Sequence, residues 1–144
     1  MRSPDDGREC GTFTQHPKIA LSGARTSTLY LLNPKRRNAE KIEVDGCAIT
    51  EGPRCDWLVL LNDATSHEEI YVELKGSDVD HAVEQLRASV LKLSADPTRL
   101  PKRCFVVFTR NPMTGTDVQR NKVKFHRDFK ALFNLVKDKA EVPL

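Results

Sequence analysis

The chain lacks several features that would identify a membrane, secreted or repeat protein. No apolar run approaches the roughly 18 to 20 residues that a membrane-spanning helix needs. Residues 1–10 are polar and of mixed charge, so no secretory leader is expected and the predicted compartment is the cytoplasm, without membrane association. No internal repeat or low-complexity tract is visible. The composition therefore indicates an ordinary globular protein.

Cysteine and histidine are too few and too scattered to predict a zinc site. The four cysteines form no Cys-X-X-Cys pair, and the four histidines lie far from them in any finger-like spacing. Cys47, Cys55 and Cys104 lie in or beside apolar runs, where a free cysteine usually acts as a small core residue. We therefore expect core cysteines rather than metal ligands or a nucleophile.

Net charge is small, but its distribution along the chain is uneven. The 144 residues, of which 39% are hydrophobic and 30% charged, predict a single domain over residues 1–144 with a net charge of +3. Residues 51–100 carry five basic and ten acidic side chains, whereas residues 101–144 carry ten and four. A nuclease needs carboxylates for metal and cations for phosphate, but a solvated surface also produces this pattern.

The hydrophobic pattern predicts a sheet in the first part of the chain. Residues 1–27 have no sustained period and are expected to form an irregular arm. Alternation over residues 41–49, an apolar run over residues 57–61 and alternation over residues 70–75 predict three strands, joined most simply as an antiparallel meander. On the third strand, Glu73 and Lys75 share one face with Tyr71.

Two helices and one more strand are predicted in the second part. Apolar residues at helical spacing predict a helix from Val79 to about Leu93, followed by a strand over residues 104–108 that is parallel to the third strand. A basic amphipathic helix is expected over residues 117–140, with an apolar stripe that includes Phe125, Phe129 and Phe133. That stripe is expected to pack into the core rather than dock to another protein.

The order of these elements and a few polar residues resemble the PD-(D/E)xK nuclease superfamily. The matching residues, within about 41–109, are Asp56 in GPRCDWLVLL, Glu73, Leu74 and Lys75 in IYVELKG, and Gln85 in HAVEQL. The resemblance implies an α/β (α+β) fold, a restriction-endonuclease-like mixed β-sheet of about four to five strands flanked by helices. An isolated Glu-x-Lys occurs by chance in many proteins, and Glu73 with Lys75 would also suit a solvated strand surface.

The resemblance also implies a metal-dependent reaction. Asp56, Glu73 and the backbone carbonyl of Leu74 would hold Mg²⁺, with Mn²⁺ as a possible substitute, because hard cations prefer oxygen ligands. Lys75 would orient or deprotonate the attacking water, and Gln85 would contact water or phosphate. Many members of the superfamily offer a further acid, for which Glu40, Glu43 and Asp45 are candidates, and one metal is expected.

These assignments predict a cytoplasmic phosphodiester hydrolase, an endonuclease acting on nucleic acid, with DNA favoured over RNA by the resemblance. Phosphate-binding candidates are the cations of two basic segments: Lys35, Arg36, Arg37, Lys122, Lys124 and Arg127. The alternative is a non-catalytic nucleic-acid-binding or assembly module on the same fold. A homodimer, or a part in a larger defence or repair system, is compatible with either.

Overall fold

The computed structural model describes residues 1–23, 27–62, 67–74, 79–110 and 114–144. Within these ranges the chain forms nine strands and two helices. In chain order they are β1 (Gly11–Thr14), β2 (Lys18–Ser22), β3 (Thr28–Leu32), β4 (Ala39–Glu43), β5 (Trp57–Asn62), β6 (His67–Leu74), α1 (Val79–Leu93), β7 (Lys102–Phe108), α2 (Gly115–Phe129), β8 (Ala131–Lys137) and β9 (Glu141–Pro143).

The larger of two sheets is mixed, with the strand order β1, β4, β5, β6, β7, β8. β1, β4, β5 and β6 pair antiparallel in that order, whereas β6, β7 and β8 are parallel. The predicted antiparallel meander and the parallel strand after α1 are therefore confirmed, as is a mixed sheet with helices. The predicted number of strands is wrong, because this sheet has six strands and β2, β3 and β9 form a second sheet.

The two helices and the small sheet lie on opposite faces of the large sheet. On one face, Leu58 and Tyr71 pack against Leu86 of α1 and Phe125 of α2. On the other face, residues of β5, β6 and β7 pack against the small sheet; this second core includes Ile19, Leu21, Leu29, Leu31, Val59, Ile70, Val72 and Phe105. The architecture is therefore three-layered, and strand alternation sorts each side chain into one of the two cores.

The expectation of an irregular arm over residues 1–27 is wrong, since this segment supplies β1 and β2. β1 pairs with β4 at the edge of the large sheet, and β2 pairs with β3. In β2 the buried Ile19 and Leu21 alternate with exposed residues, as in a half-buried strand. β1 and β2 have only four and five residues, too few to establish a period, and β1 also depends on a partner strand distant in sequence.

The predicted helix over residues 117–140 ends at Phe129 instead. Lys130 adopts a left-handed conformation with φ 53°, and its N–H caps the helix by donating to the carbonyls of Phe125 and His126. The chain then continues as β8, where Phe133 still reaches the helix-side core. Among the described residues, neither helix is long or apolar enough to cross a membrane.

Cys47 is not a free core cysteine, because it forms a disulfide with Cys10. The bond links two residues 37 positions apart and joins the segment before β1 to the turn between β4 and β5. Cys55 and Cys104 are free and buried, as predicted. Disulfides persist mainly in oxidising compartments, and this bond therefore gives no support to a cytoplasmic location. That location stays a prediction from the sequence alone.

A buried lysine lies at the end of the large sheet where β7 and β8 begin. Lys102 is 2% exposed, and its ammonium donates to the backbone carbonyls of Asp96, Leu100 and Phe129. Glu69, also buried, accepts from the Tyr71 hydroxyl at 3.0 Å and from the Ala95 N–H at 3.0 Å. Burial lowers the pKa of Lys102, and the nearby Glu69 carboxylate opposes that shift.

Candidate functional site

Asp56, Glu73 and Leu74 lie at the edge of the large sheet where the parallel strands end. β6 ends at Leu74, β7 ends at Phe108, and both helices begin on this side, because each connects one parallel strand to the next. Asp56 immediately precedes β5, whose first residue pairs with Val72 of β6. The carboxyl ends of parallel strands are where α/β sheets commonly place ligand sites.

Asp56 is held against the strand that carries Glu73. Its carboxylate oxygen Oδ2 accepts a hydrogen bond from the backbone N–H of Leu74 at 2.7 Å. The Asp56 N–H donates to the Val72 carbonyl at 3.1 Å, and its own carbonyl accepts from the Val44 N–H at 3.0 Å. The side chain is half-buried. The carboxylate is thus fixed beside the peptide that joins Glu73 to Leu74.

Glu73 is buried, with 2% of its surface exposed. It lies on the face of β6 that carries Tyr71, beneath the helices, because side chains two positions apart on a strand share a face. Burial raises the pKa of the nearby Cys55 thiol to about 12, and the charges of Glu73 and Asp56 add to the shift. Both carboxylates therefore act on one thiol, which is held in its protonated form and is a poor nucleophile.

Helix α1 is fastened to this edge through Ser89. The Ser89 hydroxyl accepts from the backbone N–H of Cys55 at 2.7 Å and donates to the carbonyl of Gln85 at 2.9 Å. Gln85 lies one turn before Ser89, and its side-chain oxygen Oε1 is the only buried side-chain nitrogen or oxygen among the described residues that lacks a hydrogen-bond partner. Ser89 was not predicted as a site residue, since a serine within a helix carries no distinctive signal.

Within the described residues, the three candidates for a further acid do not share the hydrogen bonds that fix Asp56 beside β6. Lys75, predicted to share the face of Glu73, lies outside the described residues. Glu40 lies 3.3 Å from the amino-terminal ammonium, and Asp45 forms an ion pair with Arg54 at 2.7 Å. Glu43 is exposed on the last residue of β4, beside Trp57. Of the three candidates for a further acid, Glu43 and Asp45 flank Val44, whose N–H donates to the Asp56 carbonyl.

The two predicted basic segments lie in different parts of the fold. Lys35, Arg36 and Arg37 precede β4, so the length of that strand, roughly 15 Å, separates them from the edge at Asp56. Lys122, Lys124 and Arg127 are exposed on α2, in the same layer as α1. The structure therefore brings α2, rather than the segment before β4, to the side of the sheet that carries Glu73.

The donor set at this edge suits a hard divalent cation. Two carboxylates offer oxygen ligands, and Mg²⁺ usually takes one or two carboxylates while keeping several waters. Within the described residues, no group of three or more histidine, cysteine, aspartate or glutamate side chains could hold a metal ion. Any metal here would thus rely on Asp56 and Glu73, backbone oxygen and water.

Comparison with known proteins finds no matching family model, no similar curated protein and no similar solved structure. A function for this chain is therefore inferred from its own residues and their geometry.

Proposed function

We propose that the protein is a metal-dependent nuclease that hydrolyses phosphodiester bonds at the edge formed by Asp56 and β6. The observation that carries the proposal is the 2.7 Å hydrogen bond from the Leu74 N–H to Asp56 Oδ2. It places the first acid of the resemblance beside the peptide of its second acid, although the two are separated by 17 positions of sequence. Strand pairing alone does not require the Asp56 side chain to turn toward β6.

Each residue of the site has a definable task in this proposal. Asp56 and Glu73 would hold Mg²⁺, together with the Leu74 carbonyl that the resemblance assigns. When bound, the metal would supply an activated water and positive charge against the phosphate. Asp56 is half-buried and Glu73 is covered, so a substrate would approach from the side of Asp56. Lys75, assigned from the sequence, would orient the attacking water.

The substrate class follows from α2. Its exposed surface carries Arg120, Lys122, Lys124 and Arg127, and this helix begins at the edge where the acids lie. Exposed cations of this kind attract the phosphates of a nucleic acid without reading its sequence. We propose nucleic acid as the substrate, and DNA before RNA on the resemblance alone.

Cleavage by conservative variants tests the proposal. Asp56→Asn keeps an oxygen that can accept from the Leu74 N–H, and Glu73→Gln keeps the shape of the buried side chain, so both variants should fold. Each should lower Mg²⁺-dependent cleavage of plasmid and single-stranded DNA by about a hundredfold or more, since even outer partners of a metal site are worth 10- to 100-fold. Glu84→Gln, which replaces an exposed carboxylate of α1 by a carboxamide, is the matched control.

The proposal is wrong if the wild-type protein cuts neither DNA nor RNA with Mg²⁺ or Mn²⁺. It is equally wrong if cleavage persists in both folded variants. Circular dichroism and urea unfolding of each variant separate a loss of chemistry from a loss of structure.

The exposed cations of α2 also support a second candidate, a non-catalytic nucleic-acid-binding module on this fold. Only Phe125 and Phe129 of this helix are buried, so most of its surface is open to a partner. Binding that weakens steeply with salt, persists in EDTA and survives Asp56→Asn would favour this function. Loss of that binding in Lys122→Gln with Lys124→Gln would assign it to α2.

A further inference from the structure

A cationic cleft lies on the opposite face of the large sheet from α1 and α2. It has a volume of about 320 Å³ and opens between β1 and β4 of the large sheet and β2 of the small sheet. Its polar lining consists of Thr12, Thr14, His16, Lys18 and Lys41. None of these residues belongs to the edge with Asp56 and Glu73, so the inference does not depend on the proposed nuclease function.

Lys41 is the central residue of this cleft. Its ammonium donates to the backbone carbonyl of Ala20 at 2.6 Å and lies 4.7 Å from the centre of the Trp57 ring. Burial lowers the pKa of Lys41, and no ion pair between described residues includes it. An ammonium has three N–H donors, and the Ala20 carbonyl uses one. Lys41 is therefore a partly buried cation that no carboxylate of the described residues pairs with.

Further hydrogen-bond donors surround Lys41. Thr12 is its direct cross-strand neighbour, so the threonine hydroxyl and the lysine stem share one face. The Nδ1 atom of His16 lies 2.9 Å from the Lys18 carbonyl oxygen and 3.1 Å from the Lys18 nitrogen, so the ring is held against the backbone of Lys18. Lys18 lies above the Tyr30 ring and pairs with Glu141 at 3.0 Å. The Glu141 carboxylate balances the charge of Lys18, whereas no ion pair between described residues balances the charge of Lys41.

We propose that this cleft binds a phosphate-type oxyanion, with Lys41 as its principal cation and the Thr12 hydroxyl as a neutral donor. A partly buried ammonium gains more from an anion than a fully exposed one does, because the local dielectric constant is lower. A phosphate group offers several acceptor oxygens, which matches the donors that Thr12 and Lys41 provide on two paired strands. The anion could come from a nucleic-acid backbone or from a small phosphorylated molecule.

The only tryptophan of the chain provides a direct measurement. Because Lys41 lies over the Trp57 ring, an anion bound to its ammonium should change the fluorescence of that indole. Titration of the full chain with inorganic phosphate should give a saturable change that chloride at equal ionic strength does not give. Isothermal titration calorimetry on the same samples should give the same dissociation constant.

Charge variants assign the site. Lys41→Gln should weaken phosphate binding roughly tenfold or more, in keeping with the worth of a hydrogen bond to a charged group. Lys41→Arg should retain it, and Lys92→Gln, an equal charge change at an exposed position of α1 across the sheet, should bind as the wild type does. If a short oligonucleotide competes with phosphate, the anion is a polynucleotide phosphate; if it does not, a small phosphorylated ligand is supported.

Two outcomes overturn the proposal. One is the absence of saturable phosphate binding in the wild type by both fluorescence and calorimetry. The other is equal binding by wild type and folded Lys41→Gln. In that case Lys41 only ties β4 to β2 through the Ala20 carbonyl.

Discussion

The hydroxyl of Ser89 accepts a hydrogen bond from the backbone N–H of Cys55 at 2.7 Å and thereby couples α1 to the residue before Asp56. Ser89→Ala leaves that buried N–H without an acceptor. We expect the free energy of unfolding to fall by about 1–3 kcal/mol in urea, the usual cost of an unsatisfied buried donor. Thr116→Ala, at an exposed position in α2, should change it by less than about 0.5 kcal/mol. Equal stability of the two variants would contradict this role for Ser89.

Replacement of Gln85 should change the stability and the cleavage rate of the protein in opposite directions. Its buried Oε1 has no hydrogen-bond partner among the described residues. Gln85→Leu removes that oxygen at similar volume, so the free energy of unfolding should rise, by about 1 kcal/mol. If Gln85 contacts water or phosphate as proposed, the same variant should cleave more slowly. A less stable Gln85→Leu variant would show that the amide has a partner in solution.

The Cys10–Cys47 disulfide predicts a redox-dependent stability. It constrains the unfolded chain by linking residues 37 positions apart. Reduction, or replacement of both cysteines by serine, should lower the free energy of unfolding by about 2–4 kcal/mol. The double variant should be insensitive to added reductant, which provides the control. Identical denaturation curves of the wild type with and without reductant would refute a stabilising bond.

Asp128 predicts an acid-dependent change in stability. Hydrogen bonds from Arg127 and Arg87 lower its pKa from 3.8 to about 2. Because the folded pKa is the lower one, this stabilisation is present above about pH 4 and is lost as the pH falls toward about 2. Asp128→Asn should flatten the decline in stability over this window, measured by thermal unfolding, whereas Asp80→Asn should not. A parallel decline in wild type and Asp128→Asn would exclude the effect.

Lys102 should be among the least replaceable charged residues. Lys102→Met leaves three backbone carbonyls without their donor and removes the positive charge near Glu69. We expect a loss of about 3–5 kcal/mol, as when one partner of a buried charge pair is removed. Lys124→Met, at an exposed position, should be nearly neutral in the same guanidinium titration. A loss below about 1 kcal/mol would mean that the network relaxes.

Local sequence patterns were sufficient for the centre of the fold. The run after Asp56, the alternation before Lys75 and the helical spacing from Val79 to Leu93 each identify one element, because each buries one face against a neighbour. The same strands place Asp56 beside the Glu73–Leu74 peptide. That part of the candidate site was predictable because it depends on neighbouring strands.

Long-range partners explain what the sequence did not show. Phe125, Phe129 and Phe133 continue a four-residue spacing across the end of α2, so the pattern alone extends the helix into β8. The left-handed turn at Lys130 has no glycine to announce it. The disulfide and the bond from Ser89 join segments 37 and 34 positions apart, and no local pattern encodes either contact.

The pairing of β3 with β9 has a consequence for biosynthesis. Leu31 lies opposite Val142, so two adjacent strands of the small sheet are separated by 111 positions of sequence. During translation, β2 and β3 are synthesised early. The edge of β3, the strand that carries Leu29 and Leu31, lacks its partner until β9 has been synthesised. Contacts of such long sequence separation slow folding and leave a sheet edge open. The nascent protein is therefore expected to depend on chaperones until its last strand has been synthesised.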